Sequence, residues 1–259
     1  SEIAFNMARR LHLVFKKMTD KLSSLSIIIP AFNEEKCIRE TIQDILSTID
    51  GFTSDYEIIV SDDGSSDRTV HYVESLSHSC VRCLIHGNTG KGGAVARGVE
   101  QASKEYLLFM DADNSSTIHE LPKLMAFIQH SPIVIGSRQI QGNHNRDEHR
   151  FRKLIGIIYN RLIRVVLNLP IRDTQCGFKL FETSVAKELF RQLKETGFVF
   201  DTELLYLAKK KGIAVNEAGI SWIKKDRSSV HVIRDSIRMF VGLFRIRSAR
   251  YDVKTVHGK

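Results

Sequence analysis

Short apolar runs alternate with helix-length amphipathic segments from Leu25 onward, and this alternation constrains the fold more than any other feature of the chain. The runs have the length of strands and are Ser26–Pro30, Tyr56–Ser61, Val81–His86, Tyr106–Met110 and Ile133–Gly136. The segments between them have apolar residues every three or four positions and are 34–50, 66–78, 91–104 and 117–130. We therefore predict an α/β fold with a mostly parallel sheet flanked by helices.

After Arg138 the pattern changes, because 139–150 are polar and charged without periodicity. We predict a loop there. Beyond it we predict amphipathic helices at 151–168 and, near the C-terminus, at Val230–Arg247. Between them we predict strands at Gly177–Phe181 and Ile213–Ile220, with two helical stretches also within 171–223. We divide the chain into a basic amphipathic segment (1–24), a main domain (25–229) and a basic C-terminal helix with its tail (230–259).

The composition is that of an ordinary folded domain, with 42% hydrophobic and 26% charged residues among 259. Four cysteines are too few for a disulfide scaffold, and we expect them to be buried thiols in a reducing compartment. Cys80 and Cys83 form a C-x-x-C pair, but no second pair stands nearby to complete a zinc site. No run reaches the roughly 18 apolar residues that span a bilayer. We therefore expect that the chain as given is not an integral membrane protein, and that any attachment to a membrane is peripheral or through an anchor outside this sequence.

The net charge of +8 is concentrated at the two ends. Residues 1–24 hold five Lys/Arg and two Asp/Glu, a net charge of +3. Residues 222–259 hold ten Lys/Arg and three Asp/Glu, a net charge of +7. Residues 25–221 therefore carry 8 − 3 − 7 = −2. Basic ends suit an anionic surface, although they could also be a solubilising fringe. No helix-turn-helix, zinc finger or aromatic stacking platform is evident, so we predict no nucleic-acid partner.

Asp111-Ala112-Asp113 follows the strand Tyr106–Met110. Ligands of such sheets sit outside the carboxyl ends of the strands, where these two carboxylates fall. Two carboxylates one residue apart can share a hard divalent cation, Mg²⁺ or Mn²⁺, which neutralises charge on a diphosphate leaving group. The alternative is a loop with helix-capping aspartates.

Two other strand ends carry polar motifs. In Asp62-Asp63-Gly64-Ser65, one aspartate can accept a hydrogen bond from a base or ribose, although the motif is also a turn with a helix N-cap at Ser65 or Ser66. Gly90-Lys91-Gly92-Gly93 opens a helix, so its N–H groups and its lysine could face phosphate. The alternative there is a simple turn.

These motifs occur together in one known family. Pro30-Ala31-Phe32-Asn33-Glu34-Glu35, the Asp62, Gly90 and Asp111 motifs, and Gly136-Ser137-Arg138 resemble, in order and spacing, the family-2 glycosyltransferases of GT-A (Rossmann-like) fold. The later Arg172–Phe181 run resembles the dolichyl-phosphate β-glucosyltransferase branch, near the dolichyl-phosphate mannose synthases. The likeness covers roughly residues 25–245.

The resemblance implies a role for each motif. Pro30, Phe32, Glu34 and Asp62 or Asp63 would hold the nucleoside of a nucleotide-sugar donor, with Lys91, Asp111 and Ala112 completing the donor site. Asp111 and Asp113 would hold Mg²⁺ or Mn²⁺. Ser115 stands where the mannose synthases have a glutamine that can join the metal, so water could replace a third protein ligand. Arg138 would face the acceptor phosphate, with a second basic residue among Arg150, Arg152 and Lys153.

The implied acceptor is dolichyl or another polyprenyl phosphate, and the implied donor is UDP-glucose. A phosphate monoester is mostly dianionic at neutral pH, so it needs no strong general base. Attack opposite the departing diphosphate would invert the anomeric centre. We expect Asp113, Arg138 and Asp173 to be the catalytic residues. Asp173 would be the base if one is used, or else a salt-bridge partner of Arg172 or a loop cap.

Two other interpretations concern the acceptor and the membrane. A soluble GT-A enzyme acting on a saccharide or protein hydroxyl would make Asp173 indispensable as a base. For a lipid acceptor, segments 1–24, 151–168 and 230–247 would lie at a membrane interface, since each combines apolar residues with Arg or Lys. The protein would then act at the cytosolic face of the endoplasmic reticulum in a eukaryote, or of the plasma membrane in a prokaryote. The alternative for each segment is a core or oligomer-interface helix.

Overall fold

The structure, a computed structural model, describes residues 21–140, 150–223 and 232–252, and only the backbone for 150–158 and 232–238. Its strands are β1 (Leu25–Ala31), β2 (Tyr56–Asp62), β3 (Val81–Ile85), β4 (Tyr106–Met110), β5 (Ile133–Ser137), β6 (Phe178–Glu182) and β7 (Val215–Gly219). They form one sheet in the order β3-β2-β1-β4-β6-β5-β7. All run parallel except β6, which is antiparallel to β4 and β5. The predicted α/β fold is confirmed.

The helices connect the strands and cover both faces of the sheet. They are α1 (Ile38–Thr48), α2 (Thr69–Glu74), α3 (Lys91–Gln101), α4 (Leu121–Ile128), α5 (Arg150–Leu167), α6 (Thr183–Phe190), α7 (Phe200–Lys210) and α8 (Val232–Ser248). No helix within the described ranges is both long and apolar enough to cross a membrane.

Two helices, α1 and α2, begin later than predicted, and the side chains of Asp67 and Thr69 explain the later start of α1. The N–H of Glu34 donates to the Thr69 hydroxyl at 2.8 Å, and the N–H of Glu35 donates to Asp67 at 3.1 Å. These bonds hold the chain before α1 in a loop conformation, so the helix begins at Ile38. Neither Ser65 nor Ser66 caps α2, which begins at Thr69, and that prediction was wrong.

The sheet separates two hydrophobic layers, and β1 contributes to both. Ile27 and Ile29 pack with α1 and α4 on one face. Ile28 points to the other face, where it packs with α3, α5, α7 and α8. This alternation is what a strand buried on both sides requires. The C-terminal helix belongs to the second layer, since its Leu243 and Ile246 are buried there.

The antiparallel strand β6 brings a second loop to the carboxyl end of β4. In the β4–β6 pairing Met110 lies opposite Phe178, so the residues before β6 approach those after β4. The N–H of Asp111 donates to the carbonyl of Gly177 at 3.0 Å. Gly177, at the end of the loop before β6, therefore stands beside Asp111.

Helix α3 lies against β1 with almost no space between them. At Gly98 an added Cβ would lie closer to the Ile28 side chain than real Cβ atoms approach their neighbours. Because Ile28 is fully buried and β-branched, it cannot swing aside. The absence of a side chain at Gly98 therefore sets the distance between helix and sheet.

We expect Gly98→Ala to destabilise the protein. Overpacking costs about 1–3 kcal/mol and outweighs the roughly 1 kcal/mol that alanine gains over glycine in a helix. Urea denaturation should show a lower midpoint with an unchanged m-value. Gly51→Ala is the control, since a Cβ there meets nothing within 4 Å. Equal midpoints for the two variants would contradict this account of the packing.

Candidate active site

The loops after β1 and β2 interlock at the carboxyl edge of the sheet. The N–H of Asn33 donates to the Ser65 hydroxyl at 2.8 Å, and the Asn33 carboxamide oxygen accepts the N–H of Ser66 at 2.9 Å. Asn33 has a φ of +58°, a left-handed conformation that asparagine tolerates. Direct contacts therefore join the polar motifs that follow β1 and β2 at this edge.

The neighbouring aspartates Asp62 and Asp63 have different environments. Asp63 accepts three hydrogen bonds, from the N–H and hydroxyl of Thr89 and from the N–H of Gly90, so it holds the loop after β3. Asp62 accepts the N–H groups of Gly64 and Ser65 through Oδ2. Its Oδ1 is buried and has no hydrogen-bond partner among the described residues. Of the two, Asp62 is the one with an oxygen left for a ligand.

The N–H groups at the start of α3 are occupied inside the protein. Those of Gly92 and Gly93 donate to the carbonyl of Thr196 at 2.7 and 3.3 Å. A Cβ at Gly90 or Gly92 would collide with Thr196 or Phe200. These glycines therefore allow residues 196–200 to pack against the helix end. The hypothesis that these N–H groups face phosphate was wrong.

Residues 194–196 are held in turn by the C-terminal part of the chain. The buried carboxylate of Glu203 accepts the N–H groups of Lys194 and Glu195, and it also accepts the Tyr251 hydroxyl at 2.8 Å. Arg245 of α8 forms an ion pair with Glu195, with its Nε 2.8 Å from Oε1. The start of α3 is thus connected through this segment to α8 and Tyr251.

Lys91 points its amine at the motif that follows β4. Its Nζ lies 2.6 Å from Asp111 Oδ1. Burial lowers the pKa of Lys91, but the nearby negative charges of Asp111 and Asp201 outweigh burial and raise it above its ordinary value. Lys91 is therefore a charged ammonium group beside Asp111.

A second lysine lies buried behind this pair. Lys179 of β6 is fully buried, and its Nζ is 2.5 Å from Asp201 Oδ1. The Nζ atoms of Lys91 and Lys179 each lie 5.5 Å from the centre of the Phe109 ring. Asp201 thus balances positive charge from two sides, which the low-dielectric interior requires.

Asp111 and Asp113 follow β4 directly, and the turn around them fixes both carboxylates. At Gly177 any Cβ would occupy the place of the Asp111 carboxylate, so glycine is needed there. Asp113 Oδ1 accepts the N–H of Ser115 at 2.9 Å. Ala112 between them is buried.

The donor set of this turn suits a hard divalent cation. Carboxylate oxygens are the ligands that Mg²⁺ and Mn²⁺ prefer. No cluster of three or more His, Cys, Asp or Glu side chains able to hold a metal occurs in the described part of the chain. Two aspartates leave most coordination positions to other oxygens, as in sites that Mg²⁺ shares with substrate phosphates.

Glu34 faces the same carboxylates from the loop after β1. Burial raises the pKa of Glu34, and the charges of Asp113 and Asp111 raise it further, while a hydrogen bond from the Cys37 thiol opposes them. Glu34 therefore lies near enough to the aspartate motif for the charges of that motif to raise its pKa. Of the other two predicted nucleoside contacts, Pro30 is buried in β1 and Phe32 is 44% exposed beyond its end.

The partly exposed Arg138 and the buried Asp173 form a two-pronged ion pair. Arg138 Nε and Nη2 donate to Asp173 Oδ2 and Oδ1 at 2.7 and 2.8 Å, and the N–H of Arg138 donates to Oδ2 at 3.0 Å. Burial alone would raise the pKa of Asp173, but the bonds and charge of Arg138 hold it below its ordinary value. The salt-bridge alternative correctly assigned Asp173 to an ion pair but named Arg172, whereas the partner is Arg138.

Two residues that support this pair were not found from the sequence. Glu217 of β7 accepts the N–H groups of Arg172 and Asp173, which fixes the loop that carries Asp173. The Trp222 ring lies 5.5 Å from the Arg138 guanidinium carbon. The lone tryptophan beside a basic segment was the available signal for the second contact.

Several predicted contacts fall outside what the structure describes. Arg152 and Lys153 lie in the first turn of α5, where only the backbone is described, and the same holds for Arg150. Residues 1–20, 141–149, 224–231 and 253–259 also lie outside the described ranges. A role of Arg152 and Lys153 in binding acceptor phosphate thus stays a prediction.

Comparison with known proteins shows which family the chain belongs to. The sequence profile described as Glycosyl transferase family 2 matches residues 26–190, more than half of the chain. The chain belongs to glycosyl transferase family 2. The matched range includes Pro30–Glu35, the Asp62, Gly90 and Asp111 motifs, Arg138 and Asp173. The protein is therefore a glycosyltransferase.

Curated relatives extend the similarity over most of the chain. Dolichyl-phosphate beta-glucosyltransferase of Dictyostelium discoideum is 32% identical over 86% of this chain and 73% of its own length. The protein of that name from Drosophila melanogaster is 34% identical over 90% of this chain and 78% of its own length. The protein of that name from Homo sapiens is 32% identical over 86% of this chain and 74% of its own length. These relatives confirm the predicted branch of the family.

Solved structures support the fold. Glucosyl-3-phosphoglycerate synthase from Mycobacterium tuberculosis, crystallised with Mn²⁺, UDP-glucose and phosphoglyceric acid, superposes with a TM-score of 0.67. The superposition covers 88% of this chain and 81% of that one, at 19% identity. At that identity the likeness shows the GT-A fold alone.

We expect Asp173→Asn to lower the free energy of unfolding at neutral pH by about 2 kcal/mol, since hydrogen bonds to charged groups contribute about that much. The pKa of Asp173 is lowered in the folded state, so its contribution is present above the ordinary value of 3.8 and is lost as the pH falls through the folded value. In urea denaturation, the free energy of unfolding of Asp173→Asn should differ less from that of wild type at pH 3 than at pH 7. Asp50→Asn, at an exposed position, is the control.

Proposed function

We propose that this glycosyltransferase transfers glucose from UDP-glucose to dolichyl phosphate, or to another polyprenyl phosphate, with inversion at the anomeric carbon. The names of the curated relatives support the lipid acceptor and the β-linked product. The neighbour crystallised with UDP-glucose and Mn²⁺ supports the donor and the metal.

On the donor side, Asp62 is proposed to bind the nucleoside. Its buried, unpartnered Oδ1 is suited to accept a hydrogen bond from the base or ribose. Pro30, Phe32 and Glu34 would complete this end of the site. Asp63 would act indirectly, because its oxygens are occupied by Thr89 and Gly90.

At the diphosphate, Asp111 and Asp113 are proposed to hold Mg²⁺ or Mn²⁺. A cation bound there would neutralise charge on the departing diphosphate. Lys91 stands 2.6 Å from Asp111 and remains protonated, so its ammonium group is placed to bind a diphosphate oxygen. Ala112, buried between the aspartates, would line the donor site.

On the acceptor side, the observation that carries the proposal is the bond between Arg138 and Asp173. Asp173 is buried and bound through both oxygens, and its pKa is lowered, so it is a poor general base. A hydroxyl acceptor would need such a base, whereas a phosphate dianion does not. Arg138 is held in place by Asp173, and the charge of Asp111 also raises its pKa. It is therefore suited to orient an acceptor phosphate for attack.

The transfer assay uses purified protein, radiolabelled UDP-glucose and dolichyl phosphate. We expect Asp113→Ala or removal of divalent metal to lower the rate at least a thousandfold, or about 4 kcal/mol of transition-state stabilisation. The control Asp50→Ala should keep wild-type activity. Transfer to glycans in place of dolichyl phosphate would overturn the acceptor, and full activity in EDTA would overturn the metal.

We also propose that α5 and α8 dock the enzyme on the cytosolic face of a membrane. One side of α5 is buried in the core through Ile163 and Leu167, and one side of α8 is buried there through Leu243 and Ile246. The other side is exposed and carries large apolar side chains with arginines, namely Val165, Phe240, Val241, Phe244, Arg161, Arg164, Arg245 and Arg247. This mixture suits the boundary between headgroups and acyl chains.

The double variant Phe240→Ser/Phe244→Ser tests the docking. These rings are 44% and 50% exposed in the protein, so inserting their exposed parts into lipid should contribute about 1 kcal/mol each. We therefore expect roughly thirtyfold weaker binding in co-sedimentation with vesicles that contain anionic lipid. Phe127→Ser, with a ring 41% exposed on α4, is the matched control. An equal loss for both variants would contradict the proposed surface.

A further inference from the structure

Helix α1 holds the turn around Asp113 from both sides. The residue before Asp113 and the residue after it each form a hydrogen bond with a side chain of α1. The two α1 residues, Thr41 and Asp44, are three positions apart and therefore lie on the same side of the helix.

The first contact is fully buried. The Thr41 hydroxyl donates to the carbonyl of Ala112 at 2.7 Å, and Thr41 has no exposed surface. A backbone carbonyl left without a donor in such a place has lost its hydration and gained no partner, which destabilises that arrangement. The bond therefore fixes the peptide unit that joins Ala112 to Asp113.

The second contact fixes the other side of Asp113. The Asn114 side-chain amide donates to Asp44 Oδ2 at 3.0 Å, and His119 Nε2 lies 3.4 Å from Asp44 Oδ1. Asn114 has a φ of +55°, a conformation that most residues avoid and that its side-chain bond helps to hold. Asp44 thus joins the turn after Asp113 to the 3₁₀ turn Ile118–Glu120.

The helix that supplies these contacts is itself firmly placed. Ile38, Ile42 and Ile45 of α1 are fully buried in the layer that also contains Ala112. Because α1 is fixed by this packing, its side chains can hold the turn in one position. Neither Thr41 nor Asp44 has a role in the donor or acceptor contacts proposed above.

We propose that Thr41 and Asp44 are positioning residues that orient the Asp113 carboxylate for the divalent cation. The inference rests on the proposed metal-dependent transfer, and it assigns to α1 a part in metal affinity. It requires that removing either contact weakens cation binding by changing geometry, without removing a ligand.

The experiment measures Mn²⁺ binding directly, from the electron paramagnetic resonance signal of free Mn²⁺ in the presence of UDP. Asp44→Ala and Thr41→Val should each raise the Kd for Mn²⁺ about tenfold, which corresponds to about 1.4 kcal/mol. Asp44→Asn and Thr41→Ser keep an acceptor or a hydroxyl, so both should bind within about threefold of wild type. Recovery in Asp44→Asn separates the hydrogen bond from a simple effect of negative charge.

Two controls make the outcomes distinct. Glu40→Ala removes an exposed carboxylate from the same helix and should leave Mn²⁺ affinity unchanged. Asp113→Ala should abolish binding, and wild-type affinity in that variant would overturn the proposed metal site itself. If Asp113→Ala loses Mn²⁺ while folded Asp44→Ala and Thr41→Val bind it as wild type does, positioning by α1 is overturned. Positioning is also overturned if the losses merely track thermal stability and Asp44→Asn shows no recovery.

Discussion

The pairing of β1 with β4 is the constraint on which the rest of the site depends. These strands are distant in sequence but adjacent in the sheet, and the chain leaves β1 toward β2 and β3 on one side while β4 leads toward β6 and β5 on the other. Loops at such a point diverge and leave a crevice between them. The loop with Glu34 and the turn with Asp111 and Asp113 border this crevice, so the proposed nucleoside and metal sites adjoin because two strands do.

Charge in the crevice is balanced locally. Lys91 forms an ion pair with Asp111, and the charge of Asp201 also raises its pKa. Arg138 is bound by Asp173, and the charge of Asp111 also raises its pKa. The cations are thus fixed before any ligand arrives. A site organised in this way spends little energy on reorientation when negative charge develops in it.

The sequence was sufficient to predict the sheet and the edge where its motifs meet, because apolar periodicity and strand ends are local properties. It could not reveal that Thr196 accepts the N–H groups of Gly92 and Gly93, since more than 100 residues separate them. It also could not choose between Asp62 and Asp63, because adjacent side chains at a strand end point in different directions and find different partners. The ion-pair partner of Asp173 was wrongly assigned to its neighbour Arg172, because ion pairs between distant elements have no characteristic spacing in the sequence.

The link from Thr196 through Glu203 to Tyr251 has a practical consequence for anyone shortening this protein. The Tyr251 hydroxyl, near the end of the described chain, donates a hydrogen bond to Glu203. Glu203 in turn holds the segment against which α3 begins, more than 150 residues earlier in the sequence. A version cut before that tyrosine would leave a buried acid without one of its donors, next to the helix that carries Lys91. Expression trials should therefore treat this tyrosine, remote as it is from the crevice, as part of the minimal catalytic unit.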